Sequence, residues 1–311
     1  MSSEARGSEP SGESEACAQR TSPDETWRAL LEQRAIERRA LTRVLPYRIG
    51  ITPRPDGGWG DYVREPIMFD LPAMLADELG TQPFDASKWT RAHHCAGFFG
   101  LVADRVADQQ VFEDAALRDD RAWLFEQWKS ALAEACADER EAERRINDER
   151  SLWRTAVEQE RSWSRQTVVG AEDYSAVVRG KCAFLWTTSA AMLEHNGVPL
   201  ARIALVREAF ERVMIALQCC DDARDNDEDR ELKGASTSEL LAVDGATLHA
   251  TAALVLQRLG SVSPPTALAT YAATAAERAM AAVPDGKRFI AALGAMAITQ
   301  QLENGRVVNG A

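Results

Sequence analysis

The amino-acid sequence predicts an all-α protein, and three observations carry that prediction. After Pro83 no proline occurs until Pro199, and the next is Pro264. The proline-free stretches are rich in Ala, Leu, Glu and Arg, which suit helices, and they lack the apolar-polar alternation of strands. Apolar residues instead recur at three- and four-residue steps, as in Val206, Phe210, Val213, Met214 and Leu217, a spacing that lines one face of a helix.

Taken in order, residues 1–25 are rich in Ser, Glu, Gly and Pro with almost nothing apolar, and read as a disordered tail ahead of one helical domain over 26–311. Prolines at 46, 53, 55, 66, 72 and 83 then divide the chain into short pieces. Ala96–Ala103 is apolar all round, as in a buried helix. The segment 129–166, densely charged around Trp153 and Trp163, reads as an amphipathic helix with a solvated face. Tyr174, Val177, Val178, Phe184 and Leu185 share the stripe of a further helix, and 204–225 forms another. Breaks are expected at 46–60, 195–199, 225–235, 261–265 and 284–286.

With 48 acidic against 36 basic side chains the 311-residue chain carries a formal charge of −12. Nucleic acids and anionic membranes attract basic surfaces, so neither is an expected partner. No run of 18 apolar residues predicts a membrane span. The N-terminus lacks the apolar stretch of a secretory signal, and a cytoplasmic address is expected. Cys17, Cys95, Cys136, Cys182, Cys219 and Cys220 are scattered, with only an adjacent pair; they read as reduced packing residues rather than disulfides or metal knuckles.

Certain acids lie where apolar residues belong. Continuing the stripe of Val213 and Leu217 by four and eight residues reaches Asp221 and Asp225, with Gln218 one turn before and Asp222 alongside. Asp104 and Asp108 likewise fall on the stripe of Leu101, Val111, Phe112 and Ala115. Paired carboxylates facing inward repel and lose hydration unless a cation compensates, and an all-oxygen donor set suits Mg²⁺. Lys181, on the stripe of Val177, Val178 and Phe184, is a core-facing cation in need of an anion. The plainer alternatives are an acidic helix end at 221–231, salt bridges from Asp104 and Asp108 to Arg105 or Arg118, and a snorkelling Lys181.

These residues resemble the trans-isoprenyl diphosphate synthases of the class I isoprenoid-synthase superfamily. Gln218-Cys-Cys-Asp221-Asp222-Ala-Arg-Asp225 matches the family's second aspartate-rich motif, QxxDDxxD. Tyr174-Ser-Ala-Val-Val-Arg-Gly-Lys181-Cys-Ala-Phe-Leu is similar to its tyrosine, spacer and Lys-Thr-Ala-x-Leu segment, with Cys182 where threonine is usual. Asp104-Arg-Val-Ala-Asp108 resembles the first motif, DDxxD, with Arg105 at its second aspartate, and Gly57-Gly58 with Arg64-Glu-Pro66 is a faint echo of GGKRxRP.

The resemblance implies a single-domain helical bundle around a central apolar cavity, with two acidic helices facing each other. It implies three Mg²⁺ ions on an allylic prenyl diphosphate, held by Asp104 and Asp108 on one wall and by Asp221, Asp222 and Asp225 on the other. It places Lys181, Lys233, Gln218 and Arg64 on the substrate and makes Phe98 and Phe99 candidates for limiting pocket depth, with plain packing as their alternative. Phe184 and Trp186 could face an allylic cation, or simply be core. A homodimer is the expected assembly.

The departures bear on the reaction. Chain elongation needs cationic contacts for isopentenyl diphosphate, yet Trp59-Gly-Asp-Tyr-Val-Arg64 lacks the lysine and the residues after Asp108 (QQVFEDAALRDD) lack the family's Arg-Arg-Gly. His93 and His94 are out of step with the family's histidine near that second substrate. The leading expectation is therefore a terpene synthase (cyclase) that ionises one prenyl diphosphate. An elongating short-chain prenyltransferase and a weakly active partner subunit of a synthase are the alternatives. The cyclase triad NDxxSxxxE is not matched, since Asn226-Asp227 is followed by Glu228, Asp229 and then Arg230.

Overall fold

The structure, a computed structural model, describes residues 21–62, 65–79, 85–163, 168–225, 227, 230–231 and 235–304. Among these every regular element is helical, as the sequence predicts. Helix α1 (Pro23–Gln33) starts inside the stretch expected to be tail. Ser22 and Glu25 form a reciprocal capping box, Pro23 opens the first turn, and Trp27, Leu30 and Leu31 bury the inner face, which together offset the ordering cost. Short helices α2 (Ile36–Arg43), α3 (Leu45–Arg48) and α4 (Ile67–Met74) follow.

The long helices α5 (Ala86–Ala107), α6 (Ala115–Cys136) and α7 (Glu139–Trp163) run in sequence, α6 packing on both α5 and α7. The charged segment 129–166, as far as it is described (to Trp163), thus belongs to two helices rather than one. Ala137 adopts a left-handed conformation (φ 54°), and Asp138 Oδ1 accepts from the amides of Arg140 and Glu141 to start α7. Neither glycine nor proline marks that break.

Helix α8 (Ala171–Lys181) ends at Cys182, and α9 (Ala183–His195) begins immediately after it. Every residue of α9 from Ala183 to Leu193 is buried, and it touches α4, α5, α6, α7, α8 and α10 (Leu200–Arg224). It is the central post of the bundle. Beyond α10 come α11 (Thr237–Leu240), α12 (Gly245–Gln257), α13 (Thr266–Ala281) and α14 (Arg288–Asn304), with α12 against α10, α13 and α14. The expected breaks at 195–199, 261–265 and 284–286 fall between helices, with Gly197 at φ 76° and Ser263 at φ 50°.

The interior around α9 is filled by rings. A Cβ on Gly100 of α5 would meet the Phe184 ring at 1.9 Å, so glycine is what lets that ring lie flat on α5. Trp186 stacks on Phe210 with centroids 5.6 Å apart. A groove of about 640 Å³ lies elsewhere, lined by Leu256, Ala269, Ala276, Met280 and Arg288 among others, and none of the predicted site residues lines it. The described cysteines are all free thiols, and among the described residues no helix is long and apolar enough to cross a membrane.

Candidate functional site

Both acidic motifs sit at the wrong end of a helix. Asp104 occupies the last turn of α5 and Asp108 is its C-cap; Asp221 and Asp222 occupy the last turn of α10 and Asp225 is its C-cap. Unpaired carbonyls already make a helix C-terminus partly negative, so carboxylates there raise the energy until a cation arrives. Helix α8 brings the partners to both.

At its C-terminal end, Lys181 Nζ lies 3.0 and 3.2 Å from the Asp108 carboxylate oxygens, 3.2 Å from Asp104 Oδ1 and 2.9 Å from Glu160 Oε2 of α7. Burial pulls the Lys181 ammonium toward neutrality, but Asp104, Glu160 and Asp108 outweigh it and hold it well above the usual lysine range. Burial pushes Asp104 up to about 6, against the pull of Lys181 and with the repulsion of Asp108 and Glu160 added. Arg161 Nη2 donates to the Ala107 carbonyl at 3.0 Å and caps the end of α5.

Two turns earlier on α8, the Tyr174 hydroxyl donates to Asp222 Oδ2 at 2.8 Å, while Gln218 Nε2 donates to Asp222 Oδ1 at 2.7 Å. Burial, followed by the nearby Asp222 charge, holds the Tyr174 hydroxyl well above its usual pKa, so it stays a donor. Tyr174 and Lys181 are seven positions apart, roughly 10 Å along the axis at ~1.5 Å per residue. One short helix therefore ties the two acidic helix ends together.

The inward acid of the second motif differs from the expectation. Asp222 is 6% exposed, whereas the Asp221 side chain is 53% exposed and paired with Arg224 at 2.7 Å. Repeated four-residue steps overshoot a 3.6-residue turn by about 40° each. The buried stripe takes three-residue steps as well, through Val213, Ala216 and Cys219 to Asp222. For the first motif the partner is Lys181, neither Arg105 nor Arg118; Arg118 lies instead 3.9 Å from Glu113. Lys181 is held by charge, not snorkelling.

The remaining predicted residues separate. Phe98 is fully buried in a cluster with Trp27, Trp59 and Phe69, its ring centroid 4.5 Å from that of Trp59. Phe99 points the other way and stacks on Trp128 of α6 at 5.6 Å. His94 Nδ1 meets Thr26 Oγ1 of α1 at 2.7 Å, and burial lowers His94 to about 4 and His93 to about 3, so both are neutral at pH 7. Gly57 and Gly58 are explained by close packing, since a Cβ on Gly58 would meet the Asp24 carboxylate at 2.3 Å. Arg64 and Lys233 lie outside the described residues.

Glu160 is the site residue that sequence reasoning missed. It falls on the stripe of Ile146, Trp153, Ala156 and Trp163, the same signal that singled out the aspartates, but was read as part of a solvated face. Among the described residues no three acid, histidine or cysteine side chains are spaced to hold a metal, and the three carboxylates that converge do so on the Lys181 ammonium. The donor chemistry nevertheless fits a hard cation: every candidate ligand is oxygen, and Asp104 Oδ1 is buried without a hydrogen bond.

No family model matches the chain, and no curated protein matches it in sequence. Its fold does match: the solved structure of a polyprenyl synthetase from Streptomyces coelicolor A3(2) superposes with a TM-score of 0.52 at 16% identity, over 87% of this chain and 94% of that one. The chain thus has an all-α, polyprenyl-synthetase-like fold.

Proposed function

We propose that the protein is a Mg²⁺-dependent isoprenoid enzyme that ionises one allylic prenyl diphosphate, working as a terpene synthase on a polyprenyl-synthetase-like scaffold. The observation that carries this reading is helix α8, whose Lys181 engages Asp104 and Asp108 while its Tyr174 engages Asp222. Two acid sets and a lysine so arranged suit a diphosphate delivered with divalent cations. Asp104, Asp108, Asp222 and the flanking Asp221 and Asp225 are the residues that would hold Mg²⁺. When bound, the metal supplies charge neutralisation to the departing diphosphate.

The chain's own residues do the rest. Lys181 offsets negative charge on the diphosphate, Tyr174 and Gln218 fix the Asp222 carboxylate in orientation, and the apolar interior around Phe184 and Trp186 excludes water from an allylic cation. Against elongation, His93 and His94 are neutral and cannot balance a second diphosphate. The turn after Asp108 offers Gln109, Gln110, Val111 and an exposed Phe112 rather than paired arginines. The reading includes a cytoplasmic homodimer.

The test is to incubate purified protein and Mg²⁺ with C10, C15 and C20 allylic diphosphates, with and without isopentenyl diphosphate, and to analyse extracts by gas chromatography and mass spectrometry. Hydrocarbon or alcohol from an allylic diphosphate alone is the expected result. A longer diphosphate appearing only with isopentenyl diphosphate would replace the cyclase by the elongating enzyme, and turnover appearing only with an added synthase would make this chain its partner subunit.

A further inference from the structure

Helix α14 has an outer face unlike those of the other surface helices. From Phe289 to Leu302 it carries no charged residue, in a chain where 27% of residues are charged. Helix α7 is the contrast, with Arg140, Glu143, Arg144 and Asp148 on its exposed side. The core-facing side of α14 is small, Ala291 and Ala295 being buried beside Ala250 of α12. Its large apolar residues stand outside instead: Phe289, Ile290, Leu293 and Met296 are 76%, 73%, 49% and 47% exposed. Helical spacing gathers them on one side, and together they present roughly 400 Å² of apolar surface, a size that marks an interaction site.

A groove adjoins this patch. The groove of about 640 Å³ is lined by Leu256, Leu259 and Met280, by Ala273 of α13, and by Arg288, the residue before Phe289. Glu277 also lines it, so one acid and one base stand on the same groove. Arg288 is paired at 3.0 Å with Asp285 of its own turn, and both side chains are exposed, which makes that tie weak. A ridge of Phe289 and Ile290 therefore lies beside a groove with room for both side chains.

That juxtaposition suits one kind of partner. A two-fold interface brings the same patch of two subunits together, so ridge meets groove twice and Glu277 of each copy can face Arg288 of the other. Two such patches with their groove walls bury about 1,000 Å² or more, enough for a specific interface. A lipid surface fits less well, because helices that lie on membranes carry Lys and Arg beside their apolar face, and α14 has neither from Phe289 to Leu302.

We propose that the outer face of α14 and the adjoining groove form a two-fold interface with a second copy of this chain, Phe289 and Ile290 of each copy seated in the groove of the other. This gives a surface to the homodimer included in the function proposed above, and it rests on that assembly rather than on the reaction.

Analytical ultracentrifugation of the full chain across a thousandfold range of concentration tests it. The unaltered protein is expected to sediment as a dimer. Phe289→Glu combined with Leu293→Glu, both at exposed positions, weakens the dimer at least a hundredfold with circular dichroism unchanged. Ala273→Trp, at an exposed position on the groove side, does the same, while Leu200→Glu, at an exposed apolar position on α10, leaves the dimer intact. Glu277→Arg and Arg288→Glu each weaken it about tenfold, and the two together restore it. If the α14 double variant does not fold, Ala273→Trp and the charge swap decide. A dimer that survives these variants overturns the interface and leaves the homodimer standing, whereas a protein monomeric at every concentration overturns both. A monomer that sediments with phosphatidylcholine vesicles, and ceases to in the Phe289→Glu/Leu293→Glu variant, makes the face a lipid-binding one and overturns the proposal. A dimer that behaves as expected but leaves prenyl diphosphates intact keeps this interface and loses the proposed reaction.

Discussion

The ends of α5 and α10 carry the same device, aspartates four residues apart at a helix C-terminus, and treat it differently. On α5 both aspartates contact a buried cation, Lys181, and share it with Glu160. On α10 one aspartate, Asp222, is locked by two neutral donors, Tyr174 and Gln218, and its neighbour Asp221 faces solvent beside Arg224. Neutral donors orient a carboxylate, whereas an ammonium also offsets its charge. The α5 end is therefore balanced by an opposite charge and the Asp222 carboxylate of the α10 end oriented by hydrogen bonds.

The largest expected effect breaks the first of these. Asp104→Ala combined with Asp108→Ala lowers Mg²⁺-dependent turnover by about a thousandfold or more, with helical content unchanged by circular dichroism. Asp221→Ala, at the exposed position, costs much less. Comparable losses in the two would erase the distinction between the ends.

Lys181→Met comes next. It leaves three carboxylates facing one another, and unfolding in urea at pH 8 should show a loss of about 3 kcal/mol. Without the ammonium, which holds the Asp104 pKa down against burial, that pKa rises further, so the folded state binds a proton that the unfolded state does not, and stability falls as pH rises. The deficit should therefore shrink toward pH 5.

Glu149 shows what burial does when hydrogen bonding is incomplete. Burial pushes it up to about 7, and its Oε2 has no hydrogen bond. Folding holds this proton from the usual glutamate range up to about pH 7, so the group's contribution falls across that window and is a constant penalty above it. Glu149→Gln should add about 2 kcal/mol at pH 8 and flatten that part of the profile, measured by thermal melts between pH 5 and 8. The smallest effect belongs to α10: Tyr174→Phe removes one buried hydrogen bond and should cost about 1 to 2 kcal/mol.

Much of this was legible from residue spacing. The helical class, the breaks at His195–Pro199 and Ser261–Pro265, and the inward acids on α5 follow from proline placement and the apolar stripe. The choice between Asp221 and Asp222 was not, because an extrapolated four-residue step accumulates angular error that only packing against Tyr174 resolves. The turn at Ala137 carries no glycine or proline, and the glycine before Cys182, Gly180, lies inside α8 where it packs on Ala156, so local sequence gives little warning of either. Glu160 satisfied the same stripe rule as the aspartates, yet its charged neighbours on α7 masked it. Which acids share Lys181 is a tertiary fact, set by three helix ends meeting, and no periodicity within one helix contains it.

The central claim is that these helix ends act as one site on a prenyl diphosphate. Its most direct test is release of inorganic pyrophosphate from a C15 allylic diphosphate, with Mg²⁺ and without isopentenyl diphosphate, in the unaltered protein and in the Asp104→Asn/Asp108→Asn variant. The account predicts release that stops with a chelator and falls by about a hundredfold or more in the variant. Equal release from both proteins, or none from any C10 to C20 substrate, would contradict it.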